Sequence, residues 1–203
     1  MKKFNSFFAT MLAFCAVLGL SFTVVPIETG VYKVNTTDSY VEWKGYKVTG
    51  EHAGVVNLKS GELMFDDNGN LTGGSFIMDM TTIKVTDLQG EYAGKLEGHL
   101  KSADFFGVEK HPTAKLVITN VSPKGTPGDY KITGNLTIKE STKEVRFYAH
   151  LDEVGSKINA TADLKIDRTD FDVRYGSGSF FDGLGDKTIY DDFDLTVRLV
   201  AGK

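Results

Sequence analysis

The side chains in this sequence that could do chemistry are four histidines, a crowd of aspartates and one cysteine. The histidines are His52, His99, His111 and His150. None stands in a pair at metal-ligand spacing, and no second thiol is available to join them. Asp167, Asp170, Asp172, Asp182, Asp186, Asp191 and Asp192 crowd one stretch near the C-terminus. A calcium loop needs several oxygens converging from one turn. The D-x-x-D-x-D spacing at 167–172 reads as strand, where alternate side chains diverge. Arg168 with Asp170 is the pair an enzyme would use if polar groups converged on a pocket. There is no G-x-S-x-G elbow, no H-E-x-x-H and no phosphate-binding glycine loop. No motif asks for a cofactor or a metal.

The elements that must position these residues are almost all strands. Apolar side chains alternate with polar ones at Val41-Trp43, Phe76-Met78-Met80, Leu116-Ile118 and Leu136-Ile138. The pattern continues at Val145-Phe147-Ala149-Leu151, Ala160-Ala162-Leu164-Ile166 and Phe193-Leu195-Val197-Leu199. Period-two alternation predicts an antiparallel sheet with one dry and one wet face. Asp66-Asp-Asn-Gly69 and Lys124-Gly-Thr-Pro-Gly128 supply turns. The count is about eight strands with no βαβ rhythm, which fits an all-β, antiparallel barrel. One stretch breaks the period, Asp87–Pro112. There Leu88, Tyr92, Leu96 and Leu100 recur every four residues, predicting a short helical insert over about 87–106 with those four on its buried face. Gly90, Gly94 and Gly98 weaken that helix. Ser102 is placed to cap a second turn that points Phe105 and Phe106 inward. A crossover helix packed on the sheet and a lid over the barrel mouth both fit this pattern.

The N-terminus reads as an export signal. Lys2 and Lys3 precede an uncharged apolar run from Phe7 to Leu20, and Gly19 and Ser21 offer small residues for cleavage after Ser21. An uncut anchor and a lipoprotein signal at Cys15 are the alternatives. The expected organisation is a signal at 1–21 and one domain over 31–200, in a periplasmic or secreted protein. The chain carries 23 basic and 27 acidic residues, a formal charge of −4. Removal of Lys2 and Lys3 with the signal takes this to −6. That balance argues against nucleic acid as a partner and against electrostatic docking on anionic membranes. Cys15 is the only cysteine, so the exported domain would rely on its core alone.

Four segments resemble the YceI-like family of bacterial lipid-binding, lipocalin-like barrels. They are Leu100-Lys-Ser-Ala-Asp-Phe-Phe106 with Lys110-His111-Pro112, then Gly134-Asn-Leu-Thr-Ile138 with Thr142-Lys-Glu-Val145. Ile166-Asp-Arg-Thr-Asp-Phe171 and the closing strand after Asp191-Asp192 complete the set. They occur in the family's order, over about residues 31–200. The resemblance implies a structural role for the His111-Pro112 turn. It also implies an Asp167–Arg168 ion pair near a strand end.

The sequence alone leaves the barrel interior as either a filled core or a cavity. The resemblance implies an elongated cavity for a polyisoprenoid or isoprenoid-quinone-like chain. The expected ligand-binding residues are Phe76, Met78, Met80, Leu100, Phe105, Phe106, Leu136, Ile138, Phe147, Leu195 and Val197. Methionines suit an adaptable wall. Burying a forty-carbon tail at about 0.8 kcal/mol per CH₂ gives a gross term of about 30 kcal/mol. This exceeds the practical ceiling of about 20 kcal/mol, so chain ordering and incomplete burial absorb the rest. The tail would dominate affinity, and no catalytic step is required. Membrane contact is then expected only in passing, for lipid exchange. Two other classes fit parts of the pattern: an enzyme with polar groups at the barrel mouth, and an outer-membrane barrel with apolar residues facing outward.

Overall fold

The computed structural model describes residues 29–203. The expected export signal, its expected cleavage site and Cys15 lie outside those residues. The described chain forms β1 (Gly30–Val34), β2 (Tyr40–Lys47), β3 (Gly50–Phe65), β4 (Leu71–Val85), α1 (Gly90–Lys101), β5 (Thr113–Pro123), β6 (Asp129–Ile138), β7 (Ser141–Val154), β8 (Lys157–Asp167) and β9 (Ile189–Gly202). One-turn 3₁₀ segments at Arg168–Phe171 and Gly185–Lys187 lie between β8 and β9.

Every strand pair is antiparallel, and β9 returns to pair with β2 along Tyr40–Arg198 to Gly45–Phe193. This closes an eight-stranded ring, β2 to β9. The short β1 wedges between the far ends of β3 and β9, pairing Tyr32 with Leu63 and Val34 with Ala201. Closure leaves no open sheet edge in the ring. The outer face carries Glu42 and Lys44 on β2, Glu144 and Arg146 on β7, and Asp163 and Lys165 on β8. This is the reverse of the apolar outer band that a membrane barrel requires, and it removes the basis for that reading.

Two glycines show how the ring curves. Gly69 sits at φ 76° in the β3–β4 turn, where a side chain would be strained. The Asp66 carboxylate accepts the backbone N–H groups of Asn68 and Asn70, each at 2.9 Å. Those hydrogen bonds, the one from Asn70 foremost, hold its pKa below the usual carboxylate value. Gly54 on β3 is pressed against its neighbours: a Cβ there would lie 1.9 Å from the Lys84 carbonyl and 2.4 Å from the Trp43 ring. Such close approach between strands lets β3 and β4 coil tightly, with register shifts between Val55 and Asn57 and between Leu58 and Ser60.

α1 follows β4 and closes one end of the ring. Its docked stripe differs from the expectation. The helix begins at Gly90, so Leu88 packs from outside it, and Tyr92 is 74% exposed. Ala93, Leu96 and Leu100 face the barrel instead. A four-residue repeat drifts by about 40° per step on a helix of 3.6 residues per turn, so it cannot hold one face over twelve residues. The Glu97 carboxylate accepts the Val85 N–H at 2.9 Å and ties the helix to β4. Ser102 is the C-cap of α1 and also opens the expected turn, its carbonyl accepting the Phe105 N–H at 3.1 Å, but its hydroxyl turns back to donate to the His99 carbonyl at 2.7 Å rather than capping that turn.

At the opposite end, His150 on β7 bonds through Nδ1 to Asp129 and through Nε2 to Asp152. The bond to Asp129, then that to Asp152, raises its pKa above the ordinary histidine value. The protonated form therefore favours folding. That contribution is complete below the unfolded value of about 6.5 and is lost as pH rises through the higher folded value. An NMR titration should show Asp129→Asn lowering the His150 midpoint; an unmoved midpoint would show that the pair does not form in solution.

Candidate functional site

The inward positions of all eight ring strands enclose a cavity of about 190 Å³. All eleven expected residues line it: Phe76, Met78, Met80, Leu100, Phe105, Phe106, Leu136, Ile138, Phe147, Leu195 and Val197. The interior is therefore not simply a filled core. Phe76, Met80, Leu136 and Ile138 are buried in the wall, whereas Met78, Phe147, Leu195 and Val197 keep part of their surface free. An apolar void of about 150 Å³ stays dry and takes an apolar guest.

The space exists because several inward positions hold small side chains. Ala149 on β7 stands opposite Ala162 on β8, and Ala162 stands opposite Val197 on β9. Gly45 on β2 also lines the cavity, and a Cβ there would meet nothing within 4 Å. Trp43, on the same face of β2, adds the largest side chain of the wall. The alternation of β2 placed Trp43 on the inner face without marking it as a lining residue. The alanines share their face with Leu151 and Leu164, but only the closed ring shows that nothing larger fills the gap they leave.

Polar groups reach the cavity at the end that α1 covers. Arg168 is 3% exposed. Its Nη1 donates to the Val173 carbonyl at 2.6 Å, Nε to the Tyr190 carbonyl at 3.0 Å, and Nη2 to the Ile189 carbonyl at 3.0 Å. Nη2 also meets Asp191 Oδ1 at 3.3 Å, and the guanidinium lies 5.7 Å from the centre of the Phe105 ring. Burial pulls the Arg168 pKa below the usual guanidinium value, with Asp191 and then Asp167 opposing it. The group stays charged, as a guanidinium does in proteins.

This geometry corrects three expectations. Arg168 pairs with Asp191, across the β8–β9 connection, and not with its neighbour Asp167. The Asp167 carboxylate accepts the Thr169 N–H at 2.8 Å and caps the 3₁₀ turn. That turn, not a strand, carries the D-x-x-D-x-D spacing. Asp170 faces Lys143 at 3.5 Å, so it does not converge with Arg168 on the pocket. Among the described residues no group of three metal-ligating side chains gathers. The histidines stand elsewhere than on the cavity wall. His52 meets Asp87 at 2.9 Å, and His99 lies edge-on between Phe105 and Tyr175. His111 Nε2 is 4.0 Å from Glu140.

The YceI-like domain family matches this sequence over residues 32–201. The chain belongs to that family. A UPF0312 protein of Shewanella denitrificans is 31% identical over 127 residues, covering 58% of this chain and 63% of that protein. The alignments span between about a third and two thirds of the length of the curated relatives. The barrel is similar to that of BcnA from Burkholderia cenocepacia, with TM-score 0.68 and 21% identity over 83% of this chain and 99% of that one. It is also similar to a polyisoprenoid binding domain from Saccharophagus degradans, with TM-score 0.62 and 11% identity over 84% and 97%. At those identities the likeness speaks for the YceI-like fold. His111-Pro112 leads into β5 here, with the Pro112 carbonyl accepting the Met80 N–H at 3.0 Å.

Arg168→Met should lower stability by about 3 kcal/mol, because it leaves Asp191 and three carbonyls at the barrel mouth without their shared donor. Denaturant midpoints measure this. A loss under about 1 kcal/mol would show that water replaces the guanidinium.

Proposed function

We propose that this protein is a non-catalytic binder and carrier of one long apolar chain, of polyisoprenoid or isoprenoid-quinone type, in an exported compartment. The observation that carries the reading is the cavity wall. From Val41 around to Leu199 it is built almost wholly of apolar side chains, the polar residues on it being Thr161 and, at the covered end, Tyr46, Arg168, Tyr190 and Asp192. Such a wall offers burial along most of its length. Each CH₂ moved from water into it contributes about 0.8 kcal/mol, so chain length sets affinity and the mouth tunes the choice of head group. The binding activity in the name of the Saccharophagus degradans domain supports the ligand class. The charged, apolar and small-residue order of residues 1–21 supports export with cleavage after Ser21.

The eleven residues anticipated as the ligand-binding set act here as a continuous wall rather than as individual contacts. Met78 and Met80 give that wall side chains that repack around different chains. Leu100, Phe105 and Phe106 close it under α1.

Ala162→Phe tests the reading, because it fills the cavity beside Ala149 and Val197 without touching the turns or the mouth. Binding of a fluorescent isoprenoid should weaken at least tenfold, while the melting temperature holds or rises. Unchanged binding in a folded variant would place the ligand outside the barrel and overturn the proposal.

A further inference from the structure

We propose that the barrel mouth carries a docking face for the interface of a neutral lipid bilayer, built from Val48, Tyr175, Phe180, Phe181 and Tyr190. The proposal rests on the carrier reading and adds where the chain enters and leaves.

These five side chains are each between 47% and 52% exposed. They supply both exposed phenylalanines of the described residues, and they gather around one seam. Below Gly45–Phe193 the β2–β9 pairing resumes only at Lys47–Ile189. Tyr190, Asp191 and Asp192 therefore bulge opposite Tyr46 alone. Tyr46, Tyr190 and Asp192 line the cavity, so this bulge is where the interior meets the surface.

The surrounding aromatic side chains are held in place. The Ile189 N–H donates to the Gly176 carbonyl at 2.8 Å, and Ser177, fully buried, bridges to Ile189. The Phe180 and Phe181 N–H groups both donate to the Ser177 carbonyl, at 3.2 and 3.0 Å. The Ser179 hydroxyl donates to Asp191 at 2.6 Å, and the Val48 N–H to the Thr188 carbonyl at 3.1 Å. Two half-exposed phenylalanines are thus presented on an anchored turn, although their rings could have been replaced by polar groups without loss of any of these bonds.

A path of rings joins this face to the cavity. Tyr175 lies 4.5 Å from His99, His99 lies 5.5 Å from Phe105, and Phe105 lies 5.0 Å from Phe106. Phe105 and Phe106 belong to the cavity wall. An apolar chain leaving a bilayer for the barrel would find a route flanked by rings, the His99 imidazole among them. Without one, each methylene exposed to water would slow transfer about fourfold. Aromatic rings with polar tips favour the head-group level of a bilayer. The charges around the face are mixed: Arg174, stacked 4.5 Å from the centre of the Phe180 ring, and Lys187 stand among Asp182, Asp186 and Asp192. With a chain that is acidic overall, this selects a neutral, zwitterionic surface over an anionic one.

The test compares the full chain with its Phe180→Ser/Phe181→Ser variant, both carrying the same N-terminal segment. A fluorescent geranylgeranyl probe is supplied either from phosphatidylcholine vesicles or from a small volume of ethanol. Transfer from vesicles to the wild-type protein should speed up with vesicle concentration and be insensitive to salt. The variant should be at least tenfold slower from vesicles, yet reach the same affinity, within twofold, when the probe comes from ethanol. Equal vesicle rates in a variant that binds normally would overturn the docking face and leave the carrier reading standing. Transfer that requires anionic lipid would overturn it as well. So would a variant that changes only from dimer to monomer, which would assign the patch to a second copy of the chain. Failure of the wild-type protein to take the probe from ethanol would overturn the carrier reading and the docking face together.

Discussion

The whole structure depends on closing eight antiparallel strands into a ring. Once β9 pairs with β2, every strand must send alternate side chains into one shared interior. The sequence obeys that demand with apolar residues on the inner face, and the outward positions take the charges. Yet the inner side chains do not add up to a filled core. Ala149 and Ala162 stand side by side where a packed barrel would put larger groups, Gly45 leaves open space farther along the same wall, and about 190 Å³ stays open. Core packing usually removes such space, because an unfilled void forfeits contacts along its lining. Keeping it costs stability, and only something placed there recovers it.

The same closure creates a problem at one end. Between β8 and β9 the chain runs through the 3₁₀ turn and a Gly/Ser-rich loop before re-entering the ring, exposing carbonyls near the apolar interior. Arg168 solves it by donating to three of them at once and to Asp191. A planar fork can do this and an ammonium cannot. The arrangement holds Ile189 and Tyr190 against the bulge, so the mouth has a defined shape while α1 covers it from the side. The helix is tied to the barrel by Leu96, Leu100 and the Glu97–Val85 bond rather than by strong helix propensity.

Most of the ring was legible in the sequence because period two is a direct consequence of strand geometry. Phe76-Met78-Met80 and Leu195-Val197 could be assigned to the inner face before any coordinates were known. The helix was legible as an element but not in phase: Tyr92 fitted the four-residue count and still faces solvent, since the start of α1 and its drift decide the docked side. The partner of Arg168 was not legible, because Asp191 is brought to it only by the return of β9. The cavity itself was beyond local reading. An inward alanine looks the same whether a neighbour fills the space beside it or not, and only the register of Ala149, Ala162 and Val197 across three strands decides.

The central claim is that the interior is a binding chamber and not a loosely packed core. Native mass spectrometry of the protein, purified from its own cells without detergent, tests it most directly. The account predicts one long apolar molecule per chain, retained on the folded protein and released when it unfolds. Folded protein that carries no such molecule, and that takes up none when isoprenoid alcohols and quinones are offered, would contradict it.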